Sequence, residues 1–248
     1  MTAHGIDIKK LPELNKPLLI VGFDGWGNAL KISSGMAAYL IRTFQAQPFA
    51  EFDPDVFFRY DEKRPVVHIE DGMFKTLSAP GGAFYAAQTA PGGRNLVILK
   101  ADEPHLRWFG FVKELFNLCS QLHIETIITL GSMYDHVLHT DRILSAVASD
   151  ADLSAMLKQK GVNSISYQGP SAIHSSIHAE ALKRNITCMS LWCHCPYYLQ
   201  GTTHFGILAH LGKMLATVGG FELSIEDLET SWQKLKVQIE NLIENNAE

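Results

Sequence analysis

Two hydrophobic patterns alternate along the chain. Residues 18–23 form a continuous apolar run bounded by Pro17 and by Gly22, Gly25 and Gly27. Such a run predicts a strand buried on both faces. Residues 95–100, 126–130 and 186–192 read the same way. Between these runs the apolar positions step by three and four. They are Leu30, Ile32, Met36, Tyr39 and Leu40 before Phe44, then Phe109, Val112, Leu115, Phe116, Cys119 and Leu122 within 107–122. Leu153, Met156 and Leu157 mark a short helix over 150–160. The Gly169-Pro170 turn feeds a helix ending at Asn185, and another covers 205–218. This alternation predicts a single α/β domain over 1–248, with a mostly parallel central sheet and helices on both faces.

Two segments depart from the alternation. Residues 65–70 and 74–87 read as strands joined by turns at Asp71-Gly72 and Pro80-Gly81-Gly82, an antiparallel element. A further turn, Pro91-Gly92-Gly93, precedes the 95–100 strand. Residues 224–245 predict an amphipathic C-terminal helix, with Ser224 as N-cap and Glu226 and Asp227 in its first turn. Ile225, Leu228, Trp232, Leu235, Ile239 and Leu242 give it a heptad seam of about two and a half repeats. That seam suits either its own domain or a second subunit.

Composition narrows the classes. Of 248 residues, 46% are apolar and 19% charged, which describes a globular chain and not a disordered one. The net charge of −5, with Lys and Arg scattered, argues against nucleic acid as a partner. Residues 1–16 lack the apolar core of a signal peptide, and no uncharged apolar run is long enough to span a membrane. The cytoplasm is the expected compartment, with no membrane partner. Cys119, Cys188, Cys193 and Cys195 match no disulfide framework and are expected to be reduced.

Polar chemistry gathers where strands end, the usual place for ligands of open α/β sheets. Asp24 and Trp26 lie in Gly22-Phe23-Asp24-Gly25-Trp26-Gly27-Asn28, a turn whose amides can approach an anion. The stretch is neither a GxGxxG fingerprint nor a P-loop, and a plain tight turn is the competing reading. Glu103 follows the 95–100 strand and is the best lone acid, unless it serves only as a helix-start carboxylate. His136, His139, Thr140, Asp141 and Arg142 form a cluster beyond the 126–130 strand. There Arg142 can clamp a carboxylate or phosphate, or the loop is simply solvated. Trp192 and Tyr197 would wall such a site. His174 and His178 are one helical turn apart and read as two unrelated surface histidines sooner than as a shared site. In Cys193-His194-Cys195 the thiols share a strand face and His194 points away; no metal is expected, and buried thiols are. No Gly-x-Ser-x-Gly elbow or other nucleophile signature occurs.

Several separated motifs together resemble the proteasome assembly chaperone two family. They are the Gly169-Pro170 turn with its helix, Ser190-Leu191-Trp192 closing a strand, and Pro196-Tyr197-Tyr198, where prokaryotic members carry Pro-His-Tyr. Glu103-Pro104 with Trp108 matches the family's Glu-Pro followed by Trp. Gly131-Ser132 leading to His139-Thr140-Asp141-Arg142 is similar to its Gly…His-Thr-Arg-Pro stretch, with Asp141 inserted and Ile143 in place of Pro. The resemblance runs from about residue 18 to about 235. It implies a phosphorylase-like, three-layer α/β/α sandwich and a homo-oligomer, with a trimer among the states to test. It implies no defined activity. Some relatives dock on proteasomes through a hydrophobic–Tyr–any-residue tail; this sequence ends Asn245-Asn246-Ala247-Glu248, so that mode is not expected. No glycine-rich loop with a partnering Lys supports the ATP-grasp label given to some bacterial members, and no cofactor is expected.

Two functions follow as expectations. The first is a homo-oligomeric protein-binding or assembly factor, supported by the resemblance and the heptad seam. The second is an enzyme or sensor for a small anionic, nucleoside- or phosphate-bearing metabolite. Its site would lie at the carboxyl edge of the sheet, with Glu103 or His139 as acid or base, Arg142 as anion clamp, and Asp24, Trp26, Trp192 and Tyr197 around them.

Overall fold

The structure, a computed structural model, describes residues 5–89 and 93–245. Met1 to His4, the Pro91-Gly92 part of the turn above and the Asn246-Ala247-Glu248 end lie outside them. In chain order the elements are β1 (Ile6–Ile8), β2 (Leu18–Asp24), α1 (Ile32–Thr43), β3 (Gln47–Phe52), α2 (Pro54–Phe57), β4 (Val66–Glu70), β5 (Met73–Ser78), β6 (Gly82–Ala87) and β7 (Leu96–Asp102). There follow α3 (Trp108–Gln121), β8 (Thr126–Asp135), β9 (Leu144–Ala148), α4 (Ala151–Gln159), β10 (Asn163–Ser164), α5 (Ile173–Lys183), β11 (Thr187–Pro196), α6 (Phe205–Gly219) and α7 (Glu226–Asn245).

The main sheet has the order β1-β3-β6-β7-β2-β8-β11-β9-β10. Its centre, β7-β2-β8-β11, is parallel throughout. The flanks are not: β1, β3, β6 and β7 pair antiparallel in turn, and β9 runs antiparallel to β11 with β10 parallel beside it. The sheet is therefore mixed, which corrects the mostly parallel sheet expected from the sequence. A continuous apolar run marks burial on both faces and not direction, and the link from β6 to β7 is too short for a parallel crossover.

Alternate residues of β2 feed two separate cores. Leu18 and Ile20 join α1, α6 and α7 in one layer, while Leu19, Val21 and Phe23 join α2, α3 and α5 in the other. The result is helices on both faces of one large sheet. Among the described residues, no helix is long and apolar enough to cross a membrane.

The C-terminal helix settles its seam internally. Ile225, Leu228, Trp232 and Ile239 are buried in the first core, and Leu235 packs against it. The seam as far as Ile239 is thus taken up inside the domain, while Leu242 at its end is 63% exposed. Ser224 is not the N-cap either. The helix begins one residue later, Glu229 N–H bonds the Ile225 carbonyl, and Asp227 accepts from Leu228 N–H instead. The Tyr39 hydroxyl sits 2.6 Å from Asp227 Oδ1 and fastens this end to α1; burial and that carboxylate push the Tyr39 pKa up to about 12.

The Asp71-Gly72 signal makes a hairpin of unusual exposure. Asp71 and Gly72 take φ of 50° and 74°, the positive pair a two-residue hairpin turn requires. Among the described residues, β4 and β5 pair only with each other. Val67 faces Leu77 and Ile69 faces Phe74 on one side of the ribbon; His68 faces Thr76 and Glu70 faces Met73 on the other. A bulge between His68 and Ile69 shifts the register, leaves Lys75 over and keeps Phe74 on the apolar side. All four apolar residues stay uncovered: Val67 49%, Ile69 59%, Phe74 65% and Leu77 61% exposed.

Candidate functional site

At the carboxyl edge, Asp24 of β2 and Asp102 of β7 stand side by side in register. Lys63 bridges them, with Nζ 2.6 Å from Asp102 Oδ1 and 3.5 Å from Asp24 Oδ2. Burial opposes the lysine's charge, but the two carboxylates outweigh it and hold its pKa above the ordinary value. These groups line a cavity of about 480 Å³ together with Trp26, Glu103 and Trp108. Glu103 uses both oxygens on backbone: Oε2 accepts from Trp26 N–H at 2.9 Å and Oε1 from Ile173 N–H at 2.8 Å. It therefore ties the turn after β2 to the N-terminus of α5. Trp26 is 67% exposed and walls the mouth.

Trp192 lies further along the edge, on β11. A Cβ at Gly131 would come within 2.5 Å of its indole, so the glycine is what lets the ring lie against β8. His174 packs on Trp192 and Phe23, and its Nε2–H donates to the Leu130 carbonyl at 2.8 Å. His178 bonds Ser190 Oγ at 2.9 Å. Both histidines are buried against the sheet, which corrects their reading as surface residues: one turn apart on α5, they face the Leu130 carbonyl and the buried Ser190 hydroxyl. Burial lowers both pKa values, that of His178 to about 4.

The remaining expected residues sit elsewhere. Tyr197 is exposed and stacks on Tyr134 at 5.0 Å. His139 is buried beside Trp232, with Nδ1 2.9 Å from the Tyr198 hydroxyl and Nε2 without a hydrogen-bond partner among the described residues. Arg142 Nη1 donates to the carbonyls of His139 and Asp141, and its guanidinium lies 4.4 Å over the Trp232 ring. His204 stacks on the same indole at 4.7 Å, and burial with the Arg142 charge lowers its pKa to about 4. Asp24, Trp26 and Glu103 thus share the edge cavity, whereas His139, Arg142, Trp192 and Tyr197 are not among the residues lining it.

One constellation is not legible in the sequence. Ser145 Oγ lies 2.9 Å from His194 Nε2, and His194 Nδ1 lies 2.7 Å from Asp135 Oδ2. A carboxylate only accepts, so Nδ1 carries the proton and Nε2 accepts from the serine. These are the distances of a nucleophile relay. Ser145 is completely buried, however, so its hydroxyl meets no substrate and the trio braces β9, β11 and β8. The available signal was weak: Asp135 and His194 close neighbouring strands, but β9 supplies the serine from a segment of small residues. Cys193 and Cys195 are buried on the opposite face, as expected. Burial pushes the Cys119, Cys188 and Cys195 thiols up to about 12 and Cys193 well above its ordinary value. Among the described residues, no group of three or more His, Cys, Asp or Glu side chains is placed to hold a metal ion.

A family model, the PAC2 family, matches the chain over residues 19–243. The chain belongs to the PAC2 family. A PAC2 family protein from Streptomyces avermitilis is 24% identical, with 91% of this chain and 95% of that one covered and a TM-score of 0.83. A proteasome-assembly chaperone homologue from Mycobacterium tuberculosis is 25% identical over the same shares, with a TM-score of 0.84. The fold is shared more widely: PbaB, an archaeal proteasome activator from Pyrococcus furiosus, is 17% identical with a TM-score of 0.70 over 96% and 97% of the two chains. No curated protein matches the chain.

Proposed function

We propose that this PAC2 protein is a homo-oligomeric assembly factor that binds other proteins in the cytoplasm, built on a phosphorylase-like sandwich. The observation that carries the reading is the uncovered face of the β4–β5 hairpin, Val67, Ile69, Phe74 and Leu77. A lone two-stranded ribbon is marginal in water, so this one needs a surface to lie on. The reverse face mixes His68, Glu70, Thr76 and Ser78 with the exposed Val66 and Met73, so the apolar quartet is the preferred docking side. A second copy is the partner present at equal concentration whenever the chain folds. Proteasome-related clients are the partner class suggested by the names of the Mycobacterium and Pyrococcus relatives.

The test is light scattering on wild type and on a Phe74→Asp, Leu77→Asp double variant. The wild type is expected as an oligomer, a trimer being the first state to look for, and the variant as a monomer with unchanged far-UV circular dichroism. A monomeric wild type overturns the oligomer, and a variant of unchanged mass overturns the hairpin face as its interface.

The edge cavity favours a second reading, an enzyme or sensor for a small anionic metabolite, with Asp24, Trp26 and Glu103 in its wall. Here Glu103 holds the site's shape through its two backbone bonds, and Trp26 meets the ligand. Trp26→Ala is expected to abolish ligand-induced thermal stabilisation without lowering the Tm of the free protein.

A further inference from the structure

A larger cavity, about 720 Å³, lies on the other side of the sheet between α6 and α7. Its volume falls in the range of small-molecule sites. Gly206, His210 and Lys213 line it from α6, Glu226 and Trp232 from α7, and Arg142 forms part of its wall. Unlike Lys63 in the edge cavity, Arg142 has no carboxylate within ion-pair distance among the described residues. The adjoining Asp141 carboxylate accepts from Leu138 N–H at 2.8 Å instead.

The guanidinium is held ready. Nη1 is fixed by two backbone carbonyls and the plane rests on Trp232, while Nη2 lies so close to Gly206 that a Cβ there would approach it to 2.1 Å. Among the described residues Nη2 has no hydrogen-bond partner. A planar fork with one free edge is the arrangement that receives a carboxylate or phosphate oxygen pair. The charge is felt nearby: burial, then Arg142 and Lys213, lower the His210 pKa.

We propose that this groove binds a small molecule through a single oxyanion, a carboxylate or phosphate group, seated on Arg142. The other charges limit the ligand. Lys213 is paired with Glu229 at 2.6 Å, and Glu226 adds an acid with no ion pair among the described residues. One free cation beside one free acid suits a monoanion or a zwitterion better than a polyphosphate. The proposal deepens the small-anion reading and moves the anchor from the edge cavity to Arg142; the assembly reading stands or falls separately.

The experiment is thermal shift and calorimetric titration of the full chain with inorganic phosphate, succinate and glutamate, at matched ionic strength. At least one probe is expected to bind the wild type, and Arg142→Gln is expected to weaken it roughly tenfold or more. A response to phosphate alone identifies a phosphoryl ligand, and a response to succinate or glutamate a carboxylate; either supports the site. Should Arg142→Gln fail to fold, Thr230→Glu replaces it. Thr230 is exposed at the groove, and a carboxylate there would compete for Arg142. Equal binding by wild type and groove variants overturns the proposal, as does no binding of any probe. Binding lost in Trp26→Ala but kept in Arg142→Gln overturns it too, while leaving the edge-cavity reading intact.

Discussion

The central strands and the β4–β5 hairpin use the same kinds of side chain and give them opposite surroundings. In β2, residues Leu18 to Phe23 alternate between two cores and are all buried. In the hairpin, an equally apolar quartet faces outward and stays exposed among the described residues. The centre is finished by this chain alone. The apolar face of the hairpin is left open. Apolarity by itself therefore does not mark the core of this protein; what marks it is having apolar neighbours in the strands on both sides.

The harshest way to break the comparison is to place the same charge in both regions. Ile128→Asp strands a carboxylate between β2 and β11 with no partner, a change of about 3–5 kcal/mol or more, and no folded protein is expected on circular dichroism. On the proposed assembly reading, the hairpin variant carrying two such charges is expected to keep its fold on circular dichroism and to lose mass on light scattering.

Acid sharpens the contrast next. His178 and His204 are buried and neutral, with pKa values of about 4 in the fold against about 6.5 unfolded. Between those values the unfolded chain binds protons that the folded one refuses. Stability is thus full above about pH 6.5 and drains as pH falls toward 4, by up to roughly 3 kcal/mol for each histidine. Urea unfolding at pH 7 and pH 5 is expected to show the loss, and His178→Gln to flatten part of it. A slope unchanged by that substitution would place the acid sensitivity elsewhere.

A smaller effect is expected from Gly131→Ala. The added methyl meets the Trp192 ring and costs about 1–3 kcal/mol in the urea midpoint, with no effect on oligomer mass.

Much of this contrast is readable from sequence on one side only. β2, α3 and the Asp71-Gly72 turn are visible because a continuous run, a 3-4 spacing and a positive-φ dipeptide are local properties. β3 is hidden by Pro48 and Glu51, and β9 by its small residues, Leu144-Ser145-Ala146-Val147-Ala148. Their strand status comes from pairing with β6 and β11, which no short window records. The site divides the same way. Asp24 and Glu103 were placed at strand ends by the runs before them. The position of Arg142 is not legible at all, because the groove it lines is built by helices some sixty to ninety residues later in the chain. Glu103 likewise finds its two N–H donors 77 and 70 residues away.

The four thiols have a practical consequence. Each is buried and strongly protonated, so the folded protein offers nothing for a maleimide to alkylate at neutral pH. A Thr76→Cys variant, on the polar face of the hairpin, would then be a single dye position in an otherwise silent chain. Energy transfer between such dyes would appear only if copies of the chain associate, and would then measure how far apart their hairpins sit.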